Sequence, residues 1–265
     1  LVVSLALVRP APAQTNAPAK PEWKWEKTTV PMALEVDGIW YEWFKVDEAM
    51  DKAGVRKGGD AKNLSRCTTI IAVNAGINRF PKELLANIRE FVSQGGGLVV
   101  LGGLSSFFNG GYKNSPLEEL LPIVMDDSYI EFYVTAEKGA RLTPVEKPDW
   151  PMTFDFKAAP LAYYYNAMTP TNNGKVQLKA NDKPILVTRT FGKGRVVACG
   201  LAVNGEPAAG ALPFWGWKDW PALLGQAIAW AGAARPAGTP VPFTAHPEMK
   251  PLTDEELKAA ESGTP

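Results

Sequence analysis

The chain reads as an α/β domain built on an open sheet, and three stretches carry that reading. Residues 69–74 (TIIAVN) are an almost wholly apolar run bounded by turn residues, the pattern of a strand covered on both faces. Residues 81–94 then set Leu84, Leu85, Ile88, Phe91 and Val92 on one helical stripe, with Lys82, Glu83, Arg89 and Glu90 off it. Gly95, Gly96 and Gly97 stop that helix, and LVVL at 98–101 supplies a second buried strand. Strand, helix and strand within about thirty residues make a right-handed crossover between parallel neighbours.

The remaining elements follow in order. Residues 1–8 (LVVSLALV) are apolar but too few to span a bilayer, and an A-x-A triplet stands at Ala11, Pro12 and Ala13. This predicts the remnant of a secretory signal over 1–13, a Pro/Ala-rich linker over 14–27, and a secreted or periplasmic protein. The competing reading is a buried N-terminal strand. Residues 28–36 read as a first strand interrupted by Pro31, and residues 41–53 as a helix stopped by Gly54.

Beyond the second buried strand, Ser115, Pro116 and Glu118 have the form of a capping box opening a short helix that Pro122 ends. Residues 129–135 alternate like a half-exposed strand, and 136–171 read as loops and short strands. Residues 185–191 and 195–201 flank Gly192, Lys193 and Gly194 as a β-hairpin. Asp219, Trp220 and Pro221 open a last helix carrying Leu223, Leu224, Ala227, Ile228 and Ala231. The domain therefore covers 28–234, followed by a Pro-rich, partly disordered tail over 235–265.

Composition narrows the function classes. With 28 basic and 28 acidic residues the formal charge is zero, and the basic residues form no tract, so nucleic acid is disfavoured as a partner. No run in the mature chain is long enough to cross a membrane. The two cysteines, Cys67 and Cys199, fall at opposite ends of parallel strands, too far apart to bridge, and both should be buried. One histidine and two distant cysteines give no zinc spacing, and there is no dinucleotide or phosphate-loop fingerprint, so neither metal nor cofactor is expected.

Two blocks carry a family resemblance: GGGLVVLGGLSSFFNGGYKNSPLEELLP at 95–122 and PILVTRTFGKGRVVACG at 184–200. Together they resemble the class I glutamine amidotransferase-like proteins, in the branch related to trehalose-utilisation (ThuA-like) domains. The resemblance implies a flavodoxin-like, three-layer α/β/α sandwich with a mainly parallel sheet and a C-terminal β-hairpin. It also implies what an active member needs: a cysteine nucleophile at a sharp strand-to-helix turn, with a histidine to activate it and a glutamate. At that turn this chain has Gly102, Gly103, Leu104 and Ser105. Its single histidine, His246, lies in the tail, and Cys199 lies in a hairpin strand. The sequence thus argues against glutaminase activity and for a catalytically degenerate domain that binds or interacts.

Ser105 or Ser106 as a replacement nucleophile lacks a base, and both serve equally well as caps of loop backbone. Gly102, Gly103, Asn109, Gly110 and Gly111 would let the backbone approach a ligand at the carboxyl edge of the sheet, with Asn74 and Asn204 adding hydrogen bonds. The same residues are also ordinary turn formers. Trp215 and Trp217 form an aromatic group that either stacks on a sugar or docks a protein, or else packs in the core. The ligand classes in view are a small polar molecule or carbohydrate, and a protein partner. The alternative function is a carbohydrate-related enzyme or sugar-binding protein of ThuA-like type.

Overall fold

A computed structural model describes residues 4–9, 30, 33–34, 40–45, 64, 67–77, 82–125, 132–134, 138–203 and 205–234. Its centre is the predicted crossover. Strand β3 (Thr69–Val73) runs into helix α1 (Lys82–Ser93) and returns as β4 (Gly97–Leu101), parallel to β3 with Ile70 opposite Leu98 and Ile71 opposite Val99. Five apolar residues of α1 are buried along the predicted stripe, from Leu84 to Val92. The helix ends in a Schellman motif. The Gly95 amide donates to the Val92 carbonyl and the Gly96 amide to the Phe91 carbonyl, both at 2.9 Å. Gly95 sits at φ 112°, a conformation a side chain would resist.

The other strands are β1 (Ser4–Arg9), β2 (Trp40–Lys45), β5 (Phe132–Val134), β6 (Leu142–Pro144), β7 (Tyr164–Asn166), β8 (Lys175–Ala180), β9 (Lys183–Phe191) and β10 (Gly194–Cys199). Eight of the ten form one open sheet in the order β2-β1-β3-β4-β10-β9-β8-β6, while β5 and β7 pair separately. The parallel part is the centre, β3-β4-β10. Both flanks are antiparallel, so β9 and β10 turn back on each other around Gly192, and β8 and β6 extend that arm. Short connections account for the β8-β9-β10 arm: two residues join β8 to β9 and two join β9 to β10, enough for antiparallel neighbours, whereas a parallel pair needs a crossover.

Strand alternation sorts the core into two halves. Ile70, Ala72, Leu98, Val100, Val196 and Ala198 face α1. Ile71, Val99, Leu101, Val197 and Cys199 face helix α2 (Trp220–Gly232), which buries Leu223, Leu224, Ala227 and Ile228 against them. Helix, sheet and helix are the three layers expected. Cys67 and Cys199 are buried in opposite halves and no disulfide joins them.

Two N-terminal expectations change. The apolar start forms strand β1, laddered antiparallel to both β2 and β3. Its apolar run suits a position between two neighbours as well as it suits a leader. The stretch read as a strand at 28–36 is helical at Val30, Ala33 and Leu34, and these three are buried at helical spacing. The stretch read as a helix at 41–53 contains β2, whose sequence WYEWFK is dominated by aromatic residues that favour strands. The linker at 14–27, the residues after Lys45 in that second stretch and the tail at 235–265 lie outside the described residues.

Candidate functional site

The turn after β4 lies at the carboxyl edge of the parallel centre, where open α/β sheets place their ligands. Two asparagines hold it. Asn74, the residue after β3, adopts φ 46°, and its Oδ1 accepts the Ser105 amide at 2.8 Å. Asn166, at the end of β7 and 2 % exposed, accepts the Gly103 amide on its own Oδ1 at 2.9 Å. Gly103, at φ 150°, lies so close to Asn74 that a Cβ there would collide with its carboxamide. The Gly102 amide donates to the Cys199 carbonyl at 2.7 Å, tying the turn to β10.

Of the two serines, Ser106 caps backbone through its hydroxyl. The buried Ser106 hydroxyl donates to the Leu101 carbonyl at 2.7 Å. Ser105 is half-buried and Leu104 beside it is 45 % exposed. The loop then closes on itself in a 3-10 turn (Phe107–Gly110), with Asn109 exposed and Gly111 in the left-handed conformation at its end. Phe107 and Tyr112 plug the space beneath. Both are fully buried against the α1 half of the core, with ring centroids 6.2 Å apart. Phe107 keeps φ 55°, unusual for a bulky residue, because its ring is locked inside. Asn109, Gly110 and Gly111 thus belong to a packed turn, apart from the hydrogen bonds that join Asn74 to Ser105 and Asn166 to Gly103.

The capping group after this loop is real but tighter than an α-turn. Glu118 Oε2 accepts the Asn114 amide at 2.6 Å and Ser115 Oγ accepts the Leu117 amide at 3.2 Å, opening a 3-10 turn at Glu118–Leu120. Glu119 pairs with Arg89 on the surface, and that guanidinium holds its carboxyl below the usual carboxylate range.

The aromatic surface is corrected. Trp215 and Trp217 are buried, at 9 % and 4 % exposure, in the α2 half of the core. Trp217 packs on Phe156 at 5.3 Å and Phe154 at 5.8 Å, and Trp215 meets Phe214 edge-on at 5.1 Å. A 3-10 turn (Phe214–Gly216) feeds these rings inward ahead of α2, so neither offers a face for stacking. Asn204 lies outside the described residues. Asn166 is the residue that sequence reading missed. It stands in a proline-rich stretch of weak periodicity, and only the fold brings it to the turn.

Chemically the site is quiet. Cys199 is fully enclosed, and burial pushes its thiol up to about 12, leaving essentially no thiolate near neutrality. Among the described residues there is no histidine, and no group of three His, Cys, Asp or Glu that could hold a metal. Two amides of the turn, those of Gly103 and Ser105, already donate to asparagine oxygens and so are not free to stabilise an oxyanion.

Fold and turn together define an α/β domain of the amidotransferase-like class. Residues 68–232, more than half of the chain, match the family described as "Putative glutamine amidotransferase", and the chain belongs to that family. Two solved structures share the fold: the cytoplasmic protein STM3548 of Salmonella typhimurium, at 19% identity and TM-score 0.59 over 86% of this chain and 95% of that one, and the cytoplasmic protein STM1381 of Salmonella typhimurium LT2, at 18% identity and TM-score 0.53 over 87% and 94%. No curated protein matches the chain in sequence. No helix among the described residues is long and apolar enough to cross a membrane.

Proposed function

We propose that this protein is a non-catalytic member of the glutamine amidotransferase-like family that acts as a binding or interaction module. One observation carries the proposal. The turn that would present a nucleophilic cysteine holds Gly102, Gly103, Leu104 and Ser105, with its amides already committed to Asn74 and Asn166. A serine there needs a base to become nucleophilic, and no imidazole stands among the described residues. The test is a glutaminase assay on the purified full chain. No release of glutamate above background supports the proposal, and turnover that Ser105→Ala abolishes refutes it.

The carbohydrate reading loses its aromatic support, because Trp215 and Trp217 are core residues. Export is part of the proposal and rests on the apolar start and the Ala11, Pro12, Ala13 triplet. The use of Ser4–Arg9 as β1 competes with it. N-terminal sequencing of protein recovered from cells separates them: a start at Gln14 supports export, and retention of β1 contradicts cleavage.

A further inference from the structure

The loop that follows β4 carries two costs in its closed form. Phe107 holds φ 55°, a left-handed angle that a bulky side chain resists, while its ring is fully buried. Further along, the Tyr112 ring is also fully buried, and its hydroxyl has no hydrogen-bond partner among the described residues. That ring lines a small cavity between α1 and the sheet, together with Ile70, Ala72, Leu85, Leu98 and Val100. At about 10 Å³ the cavity is near the least that holds one water, and aliphatic walls give a water too few partners to stay there. The cost of the hydroxyl is therefore borne by the closed loop.

The backbone ties of the same loop are internal. The amides of Ser106, Gly110, Gly111 and Tyr112 donate to the carbonyls of Gly103, Ser106, Phe108 and Phe107 respectively, so these bonds travel with the loop. At its base the Ser106 hydroxyl holds the Leu101 carbonyl. Beyond that point the Phe107 and Tyr112 rings, both in the α1 half of the core, pack the loop against the domain. Ring burial thus opposes the strained angle and the unpaired hydroxyl within one short segment.

We infer that residues 107–112 form a plug that opens as a unit, the Tyr112 ring leaving the core as Phe107 relaxes its backbone. Opening bares the apolar wall of Ile70, Ala72, Leu98 and Val100. The chain's own loop therefore decides whether that wall, next to the Gly102–Ser105 turn, meets solvent.

Native-state hydrogen exchange on the 15N-labelled full chain tests the plug, with Tyr112→Phe as the variant. Phenylalanine fills the same space without the unpaired hydroxyl, so the closed form gains about tenfold over every state in which the ring is solvated. The Phe91 amide in α1, exchanging through global unfolding, should slow by about that factor. The Gly110 and Gly111 amides should slow equally, because their exchange waits for the same ring to leave. Urea unfolding of the variant should show the matching rise in midpoint. Slowing at Phe91 with unchanged rates at Gly110 and Gly111 would overturn the inference, because the loop would then open with Tyr112 still buried. No slowing at Phe91 and no rise in midpoint would overturn it too, because the hydroxyl would then carry no cost for opening to relieve.

Discussion

Replacing Asn74 by alanine removes two things at once, and their sizes follow from the structure. Alanine must hold the left-handed φ of 46° that asparagine tolerates, at a cost of about 1 kcal/mol. The Ser105 amide also loses its acceptor at 2.8 Å in a part-buried position, which costs about 1–2 kcal/mol more. Asn74→Ala should therefore lower stability by about 2–3 kcal/mol. Asn74→Gly removes only the hydrogen bond, because glycine accepts the backbone angle, and should cost about 1–2 kcal/mol. Asn74→Asp keeps both the acceptor and the angle and should stay within about 1 kcal/mol of the parent. Urea unfolding, followed by the fluorescence of buried tryptophans, measures all three, with unchanged m-values as the check that only the folded state differs. Asn74→Ala within about 0.5 kcal/mol of the parent, or Asp costing as much as Ala, would refute the claim that this carboxamide holds the turn.

Other predictions test the core, the thiol and the N-terminus. Phe91→Ala, at a fully buried position on α1, should cost about 3–5 kcal/mol by urea unfolding. Burial raises the Cys199 thiol from its ordinary 9.0 to about 12, so the folded state keeps a proton that the unfolded state gives up. Stability from this group is fully present below pH 9.0 and is lost as pH rises toward about 12, and native Cys199 should resist iodoacetamide at pH 8 while the denatured chain reacts. Deleting residues 1–13 removes the strand between β2 and β3 and should lower the urea midpoint; an unchanged midpoint would show that the sheet does not need β1. Glu119→Gln should change stability by less than about 1 kcal/mol, because its pair with Arg89 is solvent-exposed.

The elements that the sequence reveals most clearly are those in which local signals and tertiary packing agree. For β3, α1 and β4, apolar periodicity, a glycine stop and a short crossover all point to one arrangement, and the structure has it. The N-terminal third is harder because the same residues satisfy two readings. Val30, Ala33 and Leu34 have helical spacing, but Pro31 among β-branched neighbours suggests a broken strand. WYEWFK fits a helix by spacing and a strand by propensity, and pairing with β1 decides for the strand. Strand β8 (KVQLKA) went unread because its alternation is short and carries two lysines, and its partner β9 is what makes it a strand.

The site was legible in what it lacks and only half legible in what it has. That the turn has no cysteine and that the one histidine falls in the C-terminal tail of the sequence are plain from the residues. Asn74 could be placed at a strand end, but Asn166, which holds the same turn through Gly103, stands 92 residues away by number (166 − 74) and is brought in by the fold. Trp215 and Trp217 carry no local signal that separates a buried ring from an exposed one. For Trp217 the rings of Phe154 and Phe156, brought in from a proline-rich stretch, supply the answer, and for Trp215 the edge-on ring of Phe214 does.

The measurement that tests the account most directly is glutamine hydrolysis by the purified full chain, read as glutamate formed per mole of protein. The account predicts no turnover above the buffer blank, and the same result for Ser105→Ala and for Cys199→Ala. Turnover that disappears in either variant would contradict it, because it would show a working nucleophile in a site whose turn is tied down by Asn74 and Asn166.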